Sequence, residues 1–277
     1  MPMRKRFSMH PKGRSTKLCF AIGSIPILEV ANRPEADDGI VVLEDYFSLQ
    51  LSFAERYAAV ADLPLGASIA HCTNLRRRLN LWGPAGANRW NDFVARIGDP
   101  SNGRRDALSL CMEWYEDRPR FATGRSFGCF SFDPPDASGV LRIHFVPPEN
   151  TSTSPLASAN TGARVQELCE LFSHVRRTER GVLSVRGISW LYNLDAYRRL
   201  FPRSYAMSIQ PVDVPLHLNG SSTWGQVLNW RREVKPDMRD ALLARFATMR
   251  AEAPWEAFPL QALTATGDVA EFYERFT

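Results

Sequence analysis

The sequence lacks the long uncharged apolar run of a membrane-spanning helix, because no stretch approaches the roughly 18 apolar residues that a crossing needs. We therefore expect a soluble body and no membrane partner. The sequence also lacks the glycine fingerprints of nucleotide-binding loops and any internal repeat. With 277 residues and 44% hydrophobic content, the chain can nevertheless bury a full core.

Cysteine is scarce and scattered. Five cysteines occur, at Cys19, Cys72, Cys111, Cys129 and Cys169. An odd number without a C-x-x-C pair favours reduced, mostly buried thiols in a cytoplasmic protein over a disulfide framework or a zinc site, and no metal is expected. Cys129 is the first candidate for a catalytic thiol, but its apolar neighbours Phe127 and Phe130 favour an inert buried side chain.

Acidic residues are missing from the start of the chain. Six of the 34 Lys and Arg residues precede Glu29, the first acid, so the rest of the chain carries 28 basic and 30 acidic residues. A near-neutral body lacks the electrostatic footprint of a nucleic-acid binder, and no nucleic-acid partner is expected. The cluster Arg76-Arg-Arg78 has the chemistry to bind phosphate, but cations at the end of a predicted helix more simply complement its dipole.

Residues 1–40 predict a poorly ordered basic tail. The alternative is export, because a basic stretch followed by the apolar run Leu18–Leu28 has the outline of a signal peptide within residues 1–31. Pro26 interrupts that run, which favours the tail and hence a cytoplasmic protein. A start codon placed too early would also explain this segment.

Two hydrophobic periods divide the rest of the chain. From Leu43 to Tyr115 the spacing is helical, which predicts a helical layer over residues 41–120, including a helix over residues 67–79 and another capped by Asn88. From Phe121 the period drops toward two, which predicts an α/β domain over residues 121–277 with a mixed central sheet. The predicted order is strand 127–132, strand 140–146, polar loop 149–162, helix to 177, strand 181–186, helix 195–201, strand 205–209, and helices to the C-terminus. Strand, helix, strand at this spacing implies a parallel pair.

This order is similar to the second half of the GNAT acyltransferase fold, over about Phe127 to Val212. Asn193-Leu-Asp-Ala196, followed one residue later than in the motif by Leu200-Phe201, resembles the N-x-x-A-x-x-L-Y run on the GNAT helix after the fifth strand. The resemblance implies a sheet of GNAT-like topology and acyl transfer from coenzyme A or acyl-CoA to a small-molecule substrate. In that family the final tyrosine protonates the leaving thiolate. Phe201 stands at that position here, so Tyr197 and Tyr205 become the candidate acids.

The polar loop and the strand before it supply further candidates. GNAT enzymes hold the pyrophosphate in a short R/Q-x-x-G-x-G/A loop, whereas the loop here is longer and has one glycine, Gly162. The helix start at Asn160, Thr161 and Gly162 is the candidate pyrophosphate site, although Asn160 and Thr161 also fit as ordinary caps. His144 alternates onto the more polar face of its strand and is a candidate general base, with a structural histidine as the alternative.

The segment Arg186–Asn193 lies at the carboxyl end of a predicted parallel strand, where ligands gather in open α/β sheets. The candidate ligand-binding residues are Arg186 for an anion, Trp190 and Tyr192 as pocket walls, and Ser189 and Asn193 as polar contacts. A corner with a buried aromatic anchor and an Asn cap is the alternative. The run Ser189-Trp-Leu-Tyr-Asn193 also resembles one in a group of uncharacterised bacterial proteins, which implies no activity. The alternative function is therefore a non-catalytic protein that binds a small ligand or a partner, and the oligomeric state is not indicated.

Overall fold

The computed structural model describes residues 40–99, 101, 103–119, 125–147, 152–212 and 218–277, with the backbone alone for residues 40–42. The predicted basic tail up to residue 39 and its signal-like run lie outside the described residues. None of the helices in the described part of the chain combines the length and the hydrophobicity that a bilayer crossing requires.

The described residues form eleven α-helices and one five-stranded mixed sheet, so the predicted α/β class is confirmed. The helices are α1 (Ile40–Ala61), α2 (Leu65–Cys72), α3 (Leu75–Arg78), α4 (Gly83–Ile97), α5 (Arg104–Glu116), α6 (Thr161–Thr178), α7 (Asp195–Arg198), α8 (Arg203–Met207), α9 (Ser221–Trp224), α10 (Pro236–Ala244) and α11 (Val269–Phe276). The strands are β1 (Phe130–Asp133), β2 (Val140–Phe145), β3 (Ser184–Ser189), β4 (Gln210–Pro211) and β5 (Leu263–Asp268).

The strands lie in the order β1-β2-β3-β5-β4. Strand β1 is antiparallel to β2, β2 is parallel to β3, and β5 runs antiparallel between β3 and β4. Helix α6 connects β2 to β3, so the predicted strand-helix-strand unit with a parallel pair is confirmed. Strand β5 is missing from the predicted order because half of its sequence, Leu-Thr-Ala-Thr-Gly-Asp, consists of Ala, Gly and Asp, which are depleted in strands.

Two hydrophobic clusters form the interior. One joins helices α1, α2, α4 and α5 with residues 218–258, and the other packs α6 and α11 against the sheet. Trp224 ties the late segment into the helical cluster, because it is fully buried and its Nε1 donates to the carbonyl oxygen of Cys72 at 3.0 Å. By packing, residues 218–258 therefore belong with the helical layer, although they follow it by about a hundred residues in the chain.

The helix predicted over residues 67–79 is wrong in its continuity. It is divided into α2 and α3 at Asn74, which is fully buried. The side chain of Asn74 accepts a hydrogen bond from Tyr46 Oη at 3.0 Å, and its backbone N–H donates to Gln50 Oε1 at 2.8 Å. These bonds to α1 replace the helical ones. Asn88, predicted as a helix cap, lies inside α4.

The strand predicted over residues 205–209 is also wrong. Residues 203–207 form α8, and only Gln210 and Pro211 pair with the sheet as β4. Tyr205 is fully buried, with its ring 5.0 Å from that of Phe272 and 5.2 Å from that of Phe201. Tertiary packing has overridden the local strand composition here.

Two further strands begin later than predicted. Strand β3 covers residues 184–189 rather than 181–186, so Arg186 lies in the middle of the strand and not at its end. The strand predicted from Phe127 begins at Phe130. Gly128, with a φ of +57°, makes a tight turn there, and a single bridge pairs Phe127 with Phe130.

A cleft between two diverging parallel strands as the candidate site

Strands β2 and β3 pair over only half of their length. Val140 pairs with Ser184, Leu141 with Val185, and Arg142 with Arg186. Pairing stops there, although β2 continues to Phe145 and β3 to Ser189. The two parallel strands therefore diverge toward their carboxyl ends, and a cleft of about 1130 Å³ opens at this place.

The cleft has walls from several elements. Residues 143–147 of β2 and its extension form one side, and residues 186–192 form the other. Helix α3 contributes Arg77 and Arg78, residues 219–223 close a further side, and residues 154–156 enter from the loop before α6. The site is thus bounded by the sheet, the helical layer and the start of the crossover connection.

His144 and Asp133 form a pair in the cleft. His144 Nε2 lies 2.9 Å from Asp133 Oδ2, at ion-pair distance but without a hydrogen bond of regular geometry. The Asp133 side chain is only 5% exposed, whereas that of His144 is 27% exposed and borders the cleft. A buried carboxylate beside an accessible imidazole is the arrangement that orients a general base.

Six arginines of the described residues line the cleft, and four of them lie on the elements that bound it from the sheet and from the helical layer. Arg142 and Arg186 are register partners on β2 and β3 and so share one face of the sheet, while Arg77 and Arg78 lie on α3. Burial lowers the pKa of Arg77 to about 10; the nearby charge of Arg78 adds to this effect and that of Asp133 opposes it. The sequence favoured helix-dipole partners over phosphate ligands for Arg77 and Arg78, and no local pattern indicated that their helix would face the sheet.

Tyr192, Tyr197 and Tyr205 form a buried cluster. The hydroxyl oxygens of Tyr192 and Tyr205 are 2.5 Å apart, and the rings of Tyr192 and Tyr197 are 5.2 Å apart. Burial raises the pKa of all three phenols. Tyr192 and Tyr197 border the cleft, whereas Tyr205 lies behind them. A side chain at Gly187 would collide with this cluster, since its Cβ would lie 1.9 Å from Tyr192 Oη.

The corner after β3 is partly structural. The Asn193 side chain donates to the carbonyl oxygens of Trp190 and Gln261, each at 2.8 Å, and it does not border the cleft. Ser189 Oγ accepts from the backbone N–H of Leu191 at 3.1 Å. Among the predicted ligand-binding residues of this corner, Arg186, Ser189, Trp190 and Tyr192 border the cleft.

The predicted pyrophosphate residues lie at the start of α6, outside the cleft lining. Asn160 is the N-cap, but its side chain donates to Thr153 Oγ1 at 3.0 Å and to the Ser154 carbonyl oxygen at 2.8 Å rather than capping the helix. Thr161 and Gly162 are the first two residues of the helix, and a Cβ at Gly162 would meet nothing within 4 Å. Both residues are exposed, but the Thr161 N–H already donates to the carbonyl oxygen of Ser158 in the 3-10 turn that precedes the helix, and the preceding loop reaches the cleft through Ser154.

The described residues around the cleft include one buried cysteine and no metal-binding group. Cys129 borders it but is 1% exposed, and its backbone N–H donates to Glu167 Oε2 at 3.0 Å. Within the described ranges, no group of three His, Cys, Asp or Glu side chains could hold a metal ion.

Comparison of the chain with known protein families, with curated proteins and with solved structures gave no match. The chemistry available in the cleft is therefore the basis for assigning a function. It comprises two diverging strand edges, an Asp133–His144 pair, buried phenols and a group of arginines.

Proposed function

We propose that this chain is an acyltransferase-like enzyme of GNAT-like topology, which moves an acyl group from a coenzyme A donor to a small-molecule acceptor. The divergence of β2 and β3 beyond Arg142 and Arg186 carries this proposal. The facing backbone edges can pair with an extended amide-containing chain, as exposed strand edges do with peptides. The pantetheine arm of coenzyme A is such a chain. The cleft volume, slightly above the roughly 300–1,000 Å³ of small-molecule sites, leaves space for a second substrate.

His144 and Tyr197 are the proposed acid-base pair. His144 takes the proton of the acceptor nucleophile, and Asp133, 2.9 Å away, holds the imidazole in place. The nucleophile forms its bond to the thioester carbonyl carbon as the C–S bond breaks. Tyr197, kept protonated because burial raises its pKa, donates its proton to the departing sulfur. Phe201 cannot fill this role because its side chain carries no proton donor.

The start of α6 is the proposed pyrophosphate site. Its 18 residues place the positive end of the helix dipole near Thr161 and Gly162, which are both exposed, so that an anion would be stabilised there. Coenzyme A supplies the activated acyl group, and its phosphates would lie at this helix start while its arm enters between the strands. Asn160 and Ser154 hold the loop that joins the two places.

A charge substitution at Gly162 tests this placement. Gly162→Asp puts a carboxylate at the second residue of α6, and we expect it to weaken coenzyme A binding about tenfold, equivalent to ~1.4 kcal/mol. Gly162→Asn, which has the same shape without the charge, should bind almost as wild type does. Isothermal titration calorimetry measures both.

An Asp at a helix start stabilises the helix, so unfolding would not explain a loss in Gly162→Asp. Equal loss in the two variants, or no saturable binding of coenzyme A to the wild-type protein at millimolar concentration, would remove the basis for an acyl-CoA site.

Phe201 favours a second candidate function, a non-catalytic protein that binds a small ligand. It is buried at 3% exposure where the GNAT run has its acidic tyrosine. Release of free thiol from acetyl-CoA in the presence of amine acceptors separates the two functions. A transferase releases thiol and loses this activity in His144→Gln, whereas a binding protein shows affinity without release.

A further inference from the structure

We propose that Arg77, Arg142 and Arg186 form an oxyanion site for the acceptor substrate, which would therefore carry a carboxylate or phosphate group. This inference rests on the proposed acyl transfer for the identity of the bound molecule as an acceptor. The site itself rests on the arrangement of the three guanidinium groups around the cleft.

One row of polar residues crosses the sheet beneath the cleft. Asp133 pairs in register with Arg142, Arg142 with Arg186, and Arg186 with Thr266, so the four residues lie side by side on β1, β2, β3 and β5. Residues in register on neighbouring strands share a face. A sheet face that packs against a helical layer is normally apolar, and a polar one costs free energy unless its groups find partners.

The opposite face of the same strands shows the contrast. Leu141, Val185 and Ala265 are fully buried there, in the cluster that contains α6 and α11. The polar character is therefore confined to the face that borders the cleft. Folding of the sheet alone does not require arginines at residues 142 and 186.

Arg77 approaches this row from the helical layer. It lies on α3 with its guanidinium 4.6 Å from the ring centroid of Trp82, a contact that orients the side chain. Burial and the charge of Arg78 lower its pKa although the charge of Asp133 opposes them, so its charge is only partly compensated by the protein. An oxyanion between α3 and the sheet would compensate it.

The hydrogen-bonding capacity of these arginines is partly unused. The Nε atoms of Arg77 and Arg142 are closed to solvent and have no hydrogen-bond partner in the protein, while Arg186 Nε donates to Thr264 Oγ1 at 3.3 Å. The nearby carboxylate of Asp133 is directed to His144. Guanidinium groups bind carboxylate and phosphate through paired N–H donors, so these free donors indicate the class of ligand.

The position of His144 limits the acceptor further. His144 is two residues beyond Arg142 on the same face of β2, a separation of roughly 7 Å along the strand. An acceptor held by its anionic group at Arg142 and Arg186 would place a nucleophile at that distance beside His144. We therefore infer a small acceptor whose nucleophile and anionic group are separated by a few bonds.

The test uses inorganic phosphate and succinate as probes, titrated into the full chain by calorimetry. We expect saturable binding of at least one probe, weakened tenfold or more in Arg142→Gln and in Arg77→Gln. The matched control is Arg105→Gln, which removes the same charge from an exposed residue of α5 and should leave binding unchanged. Equal loss in the control, or a response that does not saturate, would show an adventitious ion only and overturn the site.

The melting temperatures of the ligand-free variants show whether a loss of probe binding results from misfolding. A merely structural arginine stabilises the fold, so its removal would lower the melting temperature. Removing a buried charge that the protein compensates only in part leaves the melting temperature unchanged or raises it. We expect the second outcome for Arg77→Gln. A large decrease with phosphate affinity retained would contradict a binding role for Arg77.

Coenzyme A titrations separate this inference from the proposed function. The Arg142→Gln variant should keep its affinity for coenzyme A and lose its affinity for phosphate. If phosphate competes with coenzyme A and both arginine variants lose the cofactor, the site holds cofactor phosphates, and the acceptor inference fails while acyl transfer stands. If the wild-type protein binds phosphate but not coenzyme A, the anion site stands and the acyltransferase proposal fails.

Discussion

Tyr192, Tyr197 and Tyr205 are three phenols of one cluster with different access to the cleft. All three are almost fully buried, and burial raises the pKa of each, so they stay protonated through the neutral range. Tyr197 borders the cleft and can serve as an acid, whereas Tyr205 makes its hydroxyl contact with Tyr192 behind it. Tyr205 therefore supports the site rather than entering it.

Replacing Tyr205 with Phe should lower the free energy of unfolding by about 1–2 kcal/mol, because the Tyr192 hydroxyl loses one of its two phenol partners, the one at 2.5 Å. Urea denaturation measures this change. Tyr273→Phe, on a partly exposed phenol of α11, is the control and should change stability by a few tenths of a kcal/mol at most. Acyl transfer should persist in Tyr205→Phe; its loss in a folded variant would identify Tyr205 as the acid.

The turn between β1 and β2 shows how an element aligns the site. The carbonyl oxygen of Gly139 accepts from the backbone N–H groups of Leu183 at 2.9 Å and Ser184 at 3.3 Å. This contact fixes the start of β3 beside the start of β2. Divergence is consequently confined to the far ends of the strands, where the cleft lies.

Gly139 and Gly181 provide a matched pair for testing this alignment. Their φ values are +76° and +75°, so an alanine meets the same backbone strain at both. A Cβ at Gly139 would also lie 2.6 Å from the Gly181 carbonyl oxygen, whereas one at Gly181 meets nothing within 4 Å. We expect Gly181→Ala to cost about 1 kcal/mol and Gly139→Ala about 3 kcal/mol of unfolding free energy. Equal costs in chemical denaturation would show that the contact with Gly181 is not tightly packed.

Local sequence patterns predicted the last helix but missed strand β5, for physical reasons. The pattern of Val269–Phe276 predicted the last helix because its apolar face is continuous and Asp268 caps it, with Oδ1 accepting from the Ala270 N–H at 2.8 Å. Strand β5, directly before it, has no such pattern. Its backbone is paired on both edges by β3 and β4, which are distant in the chain.

Buried phenols and thiols in the two hydrophobic clusters make the free energy of unfolding depend on pH. Burial raises the pKa of Cys111 to about 12 and that of Cys72 further, and it raises the pKa values of the tyrosine cluster. A raised pKa means that the folded state favours the protonated form. The corresponding stability is complete below the unfolded values of 9.0 for thiols and 10.0 for phenols, and it is lost as pH rises above them.

We therefore expect the free energy of unfolding to fall steadily from about pH 9 upward. Above pH 10, Arg77 has the opposite effect and raises the free energy of unfolding. Its pKa is lowered in the folded state, so its side chain loses its proton, and with it the cost of a buried charge, at a lower pH than in the unfolded chain. Urea denaturation across pH 7–11 measures the slope, and Cys111→Ala should make it shallower. A stability that stays constant to pH 11 would mean that these groups ionise as easily in the folded state as in the unfolded one.

At the scale of the whole molecule, the order of elements explains why the site was only partly foreseen. His144 and Arg186 were predicted from their place on strands, and the structure brings them to one cleft. Arg77 was assigned to a helix end, and Asp133 fell in the connection between the predicted strands 127–132 and 140–146. Both join the cleft because the helical layer covers the polar face of the sheet, a contact between segments about sixty residues apart.

By itself, the sequence determined the α/β class and the parallel pair around α6, because these follow from periodicity over short windows. Only the tertiary structure decided that α8 is a helix, that β5 enters beside β3 and that β2 and β3 diverge after Arg142. Those features depend on backbone pairing and packing between distant segments, and such interactions leave no trace in a local pattern.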